Sequence, residues 1–484
     1  MNATDLALDP VDSLLLAPAC GAVLLIFVRG WKTAARINIW ASALTLAASA
    51  VPFFNRPDTN AFQLIDDFNI YLVALTAFVA FTTSLFSAIY ISHEVEAGRL
   101  VSRYLRFYHS MYQAFVFTMM LALTANNLGV MWVAIEGATL TTVLMVGLYR
   151  TPAAIEAAWK YFILCGVGIA LALFGTTLMY LAAQPVMGAG LAAMTWSELL
   201  PRMAEFNPAI LNLAFVFLLI GYGTKVGLVP LHAWLPDAHA EGPTPISAVL
   251  SGLLLNVALY VVLRYKILLA ANPLAVAPGP LMVIMGLSSV LLSGFMLYRR
   301  RDIKRLFAYS SIEHMGIVTF AFGMGGPLAN FAGLLHMTMH SLTKSAIFYA
   351  VGHITQVKGT QKIAEIRGLT SSAPVLGWAL VIGVVAIAGM PPFGVFLSEF
   401  LVLTTTFDRQ PILALLLLIG LLVGFSGLIM RLQGLAFGPG EGGEKARTIA
   451  LVPLFVHLLV VLVAGIYLPR PLVAWFQTVA HLLG

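Results

Sequence analysis

Five places along the chain put ionisable side chains inside apolar runs, where each is costly enough to need a partner or a use. Glu136 interrupts VMWVAIEGATLTTVLMV, Lys225 sits in LLIGYGTKVGLVP, and Lys344 ends LLHMTMHSLTK. Glu399 closes GMPPFGVFLSE, and Glu313 with His314 lies in AYSSIEHMG. Acids and bases at bilayer depth can bind, pass on and release a small cation. The plainer reading is a set of structural ion pairs or misplaced helix ends.

His336, His340 and Lys344 recur at intervals of four, which on a helix makes one slowly drifting stripe. Imidazole titrates where a proton carrier must, so the stripe reads as a proton path. The His336–His340 interval also matches a zinc pair. There is no HExxH glutamate and no evident third ligand, so no metal is expected.

Two runs are broken by proline in mid-membrane: Gly227 to Pro230 in GLVP, and Gly389 to Pro392 in GMPP. Proline removes a helix donor and frees a carbonyl. In lipid such a break survives where protein or water satisfies the backbone, and paired broken helices point to a transport site. Lys225 precedes the first break and Glu399 follows the second. Beyond the first lies LHAWLPDAHAEGPTPISAVL, whose His232, Asp237, His239 and Glu241 either feed the ion path from one side or form a polar interfacial loop.

The elements that carry these residues are membrane helices. Of 484 residues, 60% are hydrophobic and 10% charged, against roughly 25% charged in soluble domains. Apolar windows near the roughly 20 residues of a bilayer crossing fall at 12–28, 36–54, 69–92, 112–126, 128–148, 160–184 and 209–229. Seven more lie at 245–268, 279–298, 304–322, 329–353, 374–404 with a break, 412–432 and 449–468. This predicts an all-α membrane protein of about fourteen spans. A barrel would need short alternating strands, which are absent from the pattern.

With the N-terminus outside, 19 basic residues fall on the cytoplasmic side, among them Arg99, Arg103, Arg150, Lys160, Lys304, Arg305, Lys445 and Arg447. Six fall outside: Arg56, Arg202, Arg264, Lys266, Arg409 and Arg470. The bias satisfies the positive-inside rule and places both termini in the periplasm. The net charge of +6 is then topological and needs no nucleic-acid partner. Met1 to Pro10 has no basic n-region, so the first span is expected to be retained. Cys20 and Cys165 are too few for a cluster and read as core residues.

KVGLVPLHAWLPDAHAEGPTPISA, RDIKRLFAYSSIEHMG, HSLTKSAIFYAVGH and AGMPPFGVFLSEF resemble the signature segments of the antiporter-like membrane subunits of respiratory complex I and its relatives, over about residues 110–435. IEHMG and HSLTKSAIFYAVGH most resemble the hydrogenase-4 branch, component F, of the formate hydrogenlyase type of nickel–iron hydrogenase. The resemblance implies fourteen helices, the seventh and twelfth broken, with two inverted five-helix repeats at 112–278 and 279–435. Residues 1–111 would be a three-helix segment and 436–484 the last helix. It further implies a charge axis in which Glu136, Lys225, Lys344 and Glu399 match the family's positions on helices five, seven, eleven and twelve. His239, His336 and His340 join them as relay candidates. His232, Asp237, Glu241, Asn256, Glu313 and His314 are accessory.

Two departures stand out. Asn256 replaces a lysine or histidine found in many complex I subunits, so that step would use water or His239. The chain also lacks a long lateral helix after the last span. The expected function is proton or sodium translocation in a redox complex, with iron–sulfur clusters and the nickel–iron centre in partner subunits and none in this chain. The alternatives are a subunit of a multi-subunit sodium/proton antiporter or of an inorganic-carbon uptake complex, and a membrane scaffold.

Overall fold

A computed structural model describes residues 10–101, 104–438 and 451–484. Arg103, Lys445, Arg447 and the first nine residues lie outside these. The helices are α1 (Pro10–Phe27), α2 (Trp31–Ala50), α3 (Asp67–Glu96), α4 (Leu105–Thr124), α5 (Leu128–Val146) and α6 (Pro152–Met187). Then come α7 (Pro208–Val226), α8 (Trp234–Glu241), α9 (Thr244–Ala270), α10 (Gly279–Leu297), α11 (Ile303–Met324) and α12 (Pro327–Lys358). The last are α13 (Pro374–Ile387), α14 (Gly394–Arg409), α15 (Pro411–Ala436), α16 (Val452–Ile466) and α17 (Arg470–Leu482). Among the described residues there is no strand beyond isolated bridges.

Among the described residues every apolar window falls on one of these helices, apart from 374–404, which α13 and α14 share. Eight, namely α2, α3, α5, α6, α7, α9, α10 and α15, are each long and apolar enough to cross a bilayer, and α16 with α17 would add a ninth. The others are short, broken or polar. The polar ones include α11 and α12, which carry the His and Lys side chains singled out above, so the residues that suggest function also dilute the hydropathy of their helices.

Helix–helix approach relies on small residues, because lipid leaves packing as the main source of association. A Cβ at Gly221 of α7 would lie 2.6 Å from the Gly168 oxygen of α6, and one at Gly286 of α10 would lie 2.6 Å from the Phe320 nitrogen of α11. Both positions therefore exclude any side chain. α9 is buried along its length and contains a π-helical turn at Leu250–Leu254. That turn faces α12, where the Ser341 hydroxyl donates to the Gly252 carbonyl.

Two features correct the reading of the charges. Lys304, counted with the cytoplasmic loop residues, is buried in the first turn of α11 and donates to the carbonyls of Ala240 (2.9 Å) and Gly242 (2.7 Å). Arg264, counted on the outer face, is 1% exposed. It is held bidentately by Asp66 at 2.7 and 2.8 Å, with Nε on the Tyr260 hydroxyl at 2.8 Å. Burial alone shuts the guanidinium out of water, so the carboxylate is what makes its position affordable.

The last region is also more than one helix. After α16 the chain turns by 82° into α17, which packs on the start of α12. Asn330 donates to the Ala480 carbonyl at 3.0 Å, and the Gly326 amide to the Gly484 carbonyl at 2.8 Å.

A candidate ion path of buried charges

The first cluster forms at the end of α7. Gly227 has φ +80, a left-handed conformation that glycine adopts without strain, and it ends the helix two residues after Lys225. The broken backbone is satisfied by protein: Trp234 Nε1 donates to the Thr224 carbonyl at 2.8 Å, and Ser289 Oγ accepts from the Val229 amide at 2.9 Å. Lys225 is fully buried. Its ammonium donates to Thr139 Oγ1 and lies 5.5 Å from the Tyr161 ring centre. Tyr161 is fixed by Thr142 at 2.7 Å and stacks on Trp234 at 4.5 Å.

Glu136 is one turn before Thr139 on α5, and no ion pair within 4 Å joins it to Lys225 among the described residues. Lys225 instead donates to Thr139, whose hydroxyl donates in turn to the Ile135 carbonyl at 3.1 Å. Glu136 is half-buried, and one of its carboxylate oxygens has no protein partner. It shares the α5 face with exposed Val133, Leu140 and Leu144.

The segment after the first break divides in two. Asp237 and Glu241 are on the polar rim: Asp237 pairs with Lys160 at 3.3 Å and Arg305 at 2.8 Å, and Glu241 meets Arg305 at 3.7 Å. His239 is fully buried, stacks on Phe348 at 4.8 Å, and neither ring nitrogen has a protein partner. His232 is partly buried against Tyr309. Asn256 donates to the Met337 carbonyl at 3.1 Å, next to His336 on α12.

The second cluster gathers on α11, α12 and α14. Lys344 is fully buried and donates to the Phe307 carbonyl at 3.0 Å. Farther along the stripe, His336 Nδ1 lies 2.9 Å from Ser398 Oγ, whose own hydroxyl donates to the Val395 carbonyl at 2.8 Å. The serine oxygen therefore accepts, and His336 carries its proton on Nδ1. The lone pair on its Nε2 then accepts from His314 Nδ1 at 2.9 Å. Glu399 Oε1 is 3.8 Å from that same His314 nitrogen. His340 is fully buried, has both ring nitrogens unpartnered, and its ring lies 5.8 Å from that of His314. Glu313 packs its carboxylate against Gly424 of α15, and Glu399 packs against Gly389, which has φ +68.

Seven buried or partly buried groups were not anticipated. Thr139 could have been found from its three-residue interval to Glu136. Lys304 reads as a loop charge in RDIKRLF, and the Asp66–Arg264 pair joins residues 198 apart. Glu94 is buried where it accepts from Tyr149 at 2.9 Å and Gln356 at 2.8 Å. His457 stands in the apolar run VPLFVHLLVV and ties α16 to Thr82 at 2.8 Å and to the Leu342 carbonyl at 3.0 Å. Ser398 orients His336 as described above.

Comparison with known proteins places the fold in a family. Residues 125–425 match the family described as NADH:quinone oxidoreductase/Mrp antiporter, TM. The chain is 58% identical over 471 residues, 97% of this chain and 99% of the other, to the hydrogenase-4 component F homolog of Methylacidiphilum infernorum (isolate V4). Its fold is similar to a chain of an archaeal membrane-bound sulfane sulfur reductase (TM-score 0.86, 21% identity, 98% of this chain and 97% of that one). It is likewise similar to a chain of respiratory complex I from Thermus thermophilus (TM-score 0.80, 23% identity, 98% and 100%). The chain belongs to the membrane-subunit family shared by NADH:quinone oxidoreductases and Mrp antiporters.

Proposed function

We propose that the chain moves protons, or sodium ions, through the membrane as a subunit of a redox complex of the hydrogenase-4 and formate hydrogenlyase or complex I type. It makes no bonds itself. Electrons run in peripheral partner subunits, where the iron–sulfur clusters and a nickel–iron centre belong, and their chemistry drives ion movement here. Similarity to the hydrogenase-4 component F homolog supports this over the antiporter and carbon-uptake readings. The chain lies in the cytoplasmic membrane with both termini periplasmic and fourteen crossings, arranged as two inverted units over 112–278 and 279–435.

The observation that carries the reading is the pair of buried clusters beside the two helix breaks, Lys225 with Thr139 and Glu136, and Lys344 with His340, His336, His314 and Glu399. A carboxylate near a buried ammonium favours its charged form, and withdrawing it favours release of the proton. Glu136, on the outward face of α5, is placed to respond to an adjoining membrane subunit. Moving one charge against 100 mV costs about 2.3 kcal/mol, equivalent to a swing of about two pKa units. Protons released at Lys225 pass by water to Lys344, then by the histidines to Glu399.

The deciding experiment compares Lys225→Met and Glu136→Gln in the assembled complex, reconstituted in vesicles. The ion-path reading expects normal assembly with impaired ion uptake. A static role expects lost assembly, and normal uptake in either assembled variant would end the ion-path reading.

A further inference from the structure

The interval His336–His340 offers a metal only two ligands, but the fold supplies more. His314 from α11, His336 from α12 and Glu399 from α14 present three ligand atoms that all lie within 4.8 Å of one another. We propose that these three residues form a Zn2+ site, with the buried His340 beside it.

Donor chemistry favours zinc. Two imidazole nitrogens and one carboxylate suit a borderline ion of tetrahedral preference, whereas sodium, magnesium and calcium take oxygen ligands. Ligands about 2.0–2.1 Å from a tetrahedral zinc lie about 3.3 Å from one another. The pairs here stand at 2.9 Å for His314 and His336, and at 3.8 Å for His314 and Glu399. The third pair lies within 4.8 Å, so closing on an ion takes side-chain shifts of about 1.5 Å or less.

The surroundings are built for it as well. Ser398 holds the Nδ1 proton of His336 and so aims the Nε2 lone pair at the cluster, as outer-shell partners do for zinc-bound histidines. His314 would give up its Nδ1 proton and take one on Nε2, remaining neutral. His340 is fully buried with both nitrogens unpartnered, 5.8 Å from the His314 ring. The Glu399 side chain is 14% exposed while that of His314 is 3% exposed, so the carboxylate marks the side from which an ion arrives. One carboxylate and neutral imidazoles leave the bound site with a single positive charge, which protons weaken by competing for the ligands.

Where the ion-path reading holds, zinc here also stops translocation, because it occupies the only station joining α12 to Glu399 in that scheme. Binding itself does not depend on that reading. The test uses the full chain purified in detergent, freed of metal by chelation and titrated with Co2+ and then Zn2+. The expected result is one Co2+ per chain with the absorption of a tetrahedral site, displaced by Zn2+. Binding should weaken at least about tenfold in His336→Gln and Glu399→Gln, and stay parental in His481→Ala, whose side chain is exposed at the end of α17. His336→Gln keeps much of the buried volume, and Glu399→Gln removes only the charge, so a folded sample is available from either one. Absence of saturable Co2+ binding to the parental chain, or parental affinity in both variants, overturns the site. Saturating Zn2+ that binds but leaves ion uptake by the assembled complex unchanged counts instead against the path through Glu399.

Discussion

The ammonium of Lys225 donates to the hydroxyl of Thr139, which stands one turn from Glu136 on α5 and itself donates to the Ile135 carbonyl at 3.1 Å. A hydroxyl that accepts from the base can turn from that carbonyl toward the acid, so it couples them without locking them together. Replacing Thr139 by Val keeps the shape and removes the oxygen. A hydrogen bond to a charged group contributes about 1.5–3 kcal/mol, so ion uptake by assembled Thr139→Val complexes should fall about tenfold or more. Thr139→Ser, which retains the hydroxyl, should pump near the parental rate. Equal uptake in Thr139→Val and the parent would show that the oxygen is not part of the path.

Glu313 lies in the second cluster with its carboxylate against the backbone of Gly424, where even a methyl group would overlap it. Gly424→Ala should displace the acid from its position in the cluster and lower ion uptake several-fold while the complex still assembles. Shortening the acid in the double variant Gly424→Ala, Glu313→Asp makes room for the methyl and should restore part of the loss. Uptake that is no better in the double variant than in Gly424→Ala alone would mean that the glycine acts through helix packing instead.

Much of this arrangement was legible in the amino-acid sequence. Apolar runs placed the helices, because hydropathy is local, and GLVP and GMPP placed both breaks, because proline acts on its own backbone. The stripe His336, His340, Lys344 follows from helical spacing alone. Cross-chain geometry was not legible. Neither the serine that orients His336 nor the histidine and glutamate that complete its cluster can be assigned without knowing that α11, α12 and α14 meet. The π-helical turn at Leu250–Leu254 likewise leaves no local mark, since it arises where α9 fits against Ser341. The burial of Lys304 was not legible either, because a lysine in a basic stretch looks solvated until its carbonyl partners are known.

Asp66 and Arg264 fasten the start of α3 to the end of α9. Burial pushes the Asp66 carboxyl up, but the Arg264 guanidinium and the Phe68 and Asn69 amides outweigh it and hold it below the usual carboxylate range. A depressed folded pKa contributes stability above the unfolded value and loses it as pH falls through the folded one. The pair should thus hold undiminished at neutral pH and fail only in strong acid, below the ordinary aspartate range. Asp66→Asn should lower the melting temperature at pH 7, and its deficit should shrink as the solution is acidified. Removing one member of a buried pair costs about 3–5 kcal/mol, so Arg264→Met, which strands the carboxylate, should be the more damaging at pH 7. A deficit for Asp66→Asn that is the same at every pH would assign the loss to packing.

The two ends of the described chain each pack on neighbouring helices. Val11 packs with Ile65 and Ile70, next to Trp475 of α17, and the Gly484 carbonyl accepts from the Gly326 amide at the start of α12. An even number of crossings is what returns a chain to its starting side. The positive-inside bias predicts that both ends face the periplasm, with Arg99, Arg150, Lys160 and Arg305 on the other side. An alkaline phosphatase reporter fused after Gly484 should therefore be active, and one fused after Lys358, at the far end of α12, inactive. A thiol placed at Ser372 in the intact chain should react only after the membrane is opened, because it lies on the basic side in this scheme. Activity of the reporter at Lys358 and silence at Gly484 would invert the assignment, and equal activity at both would mean that the chain from α13 to α17 crosses an even number of times.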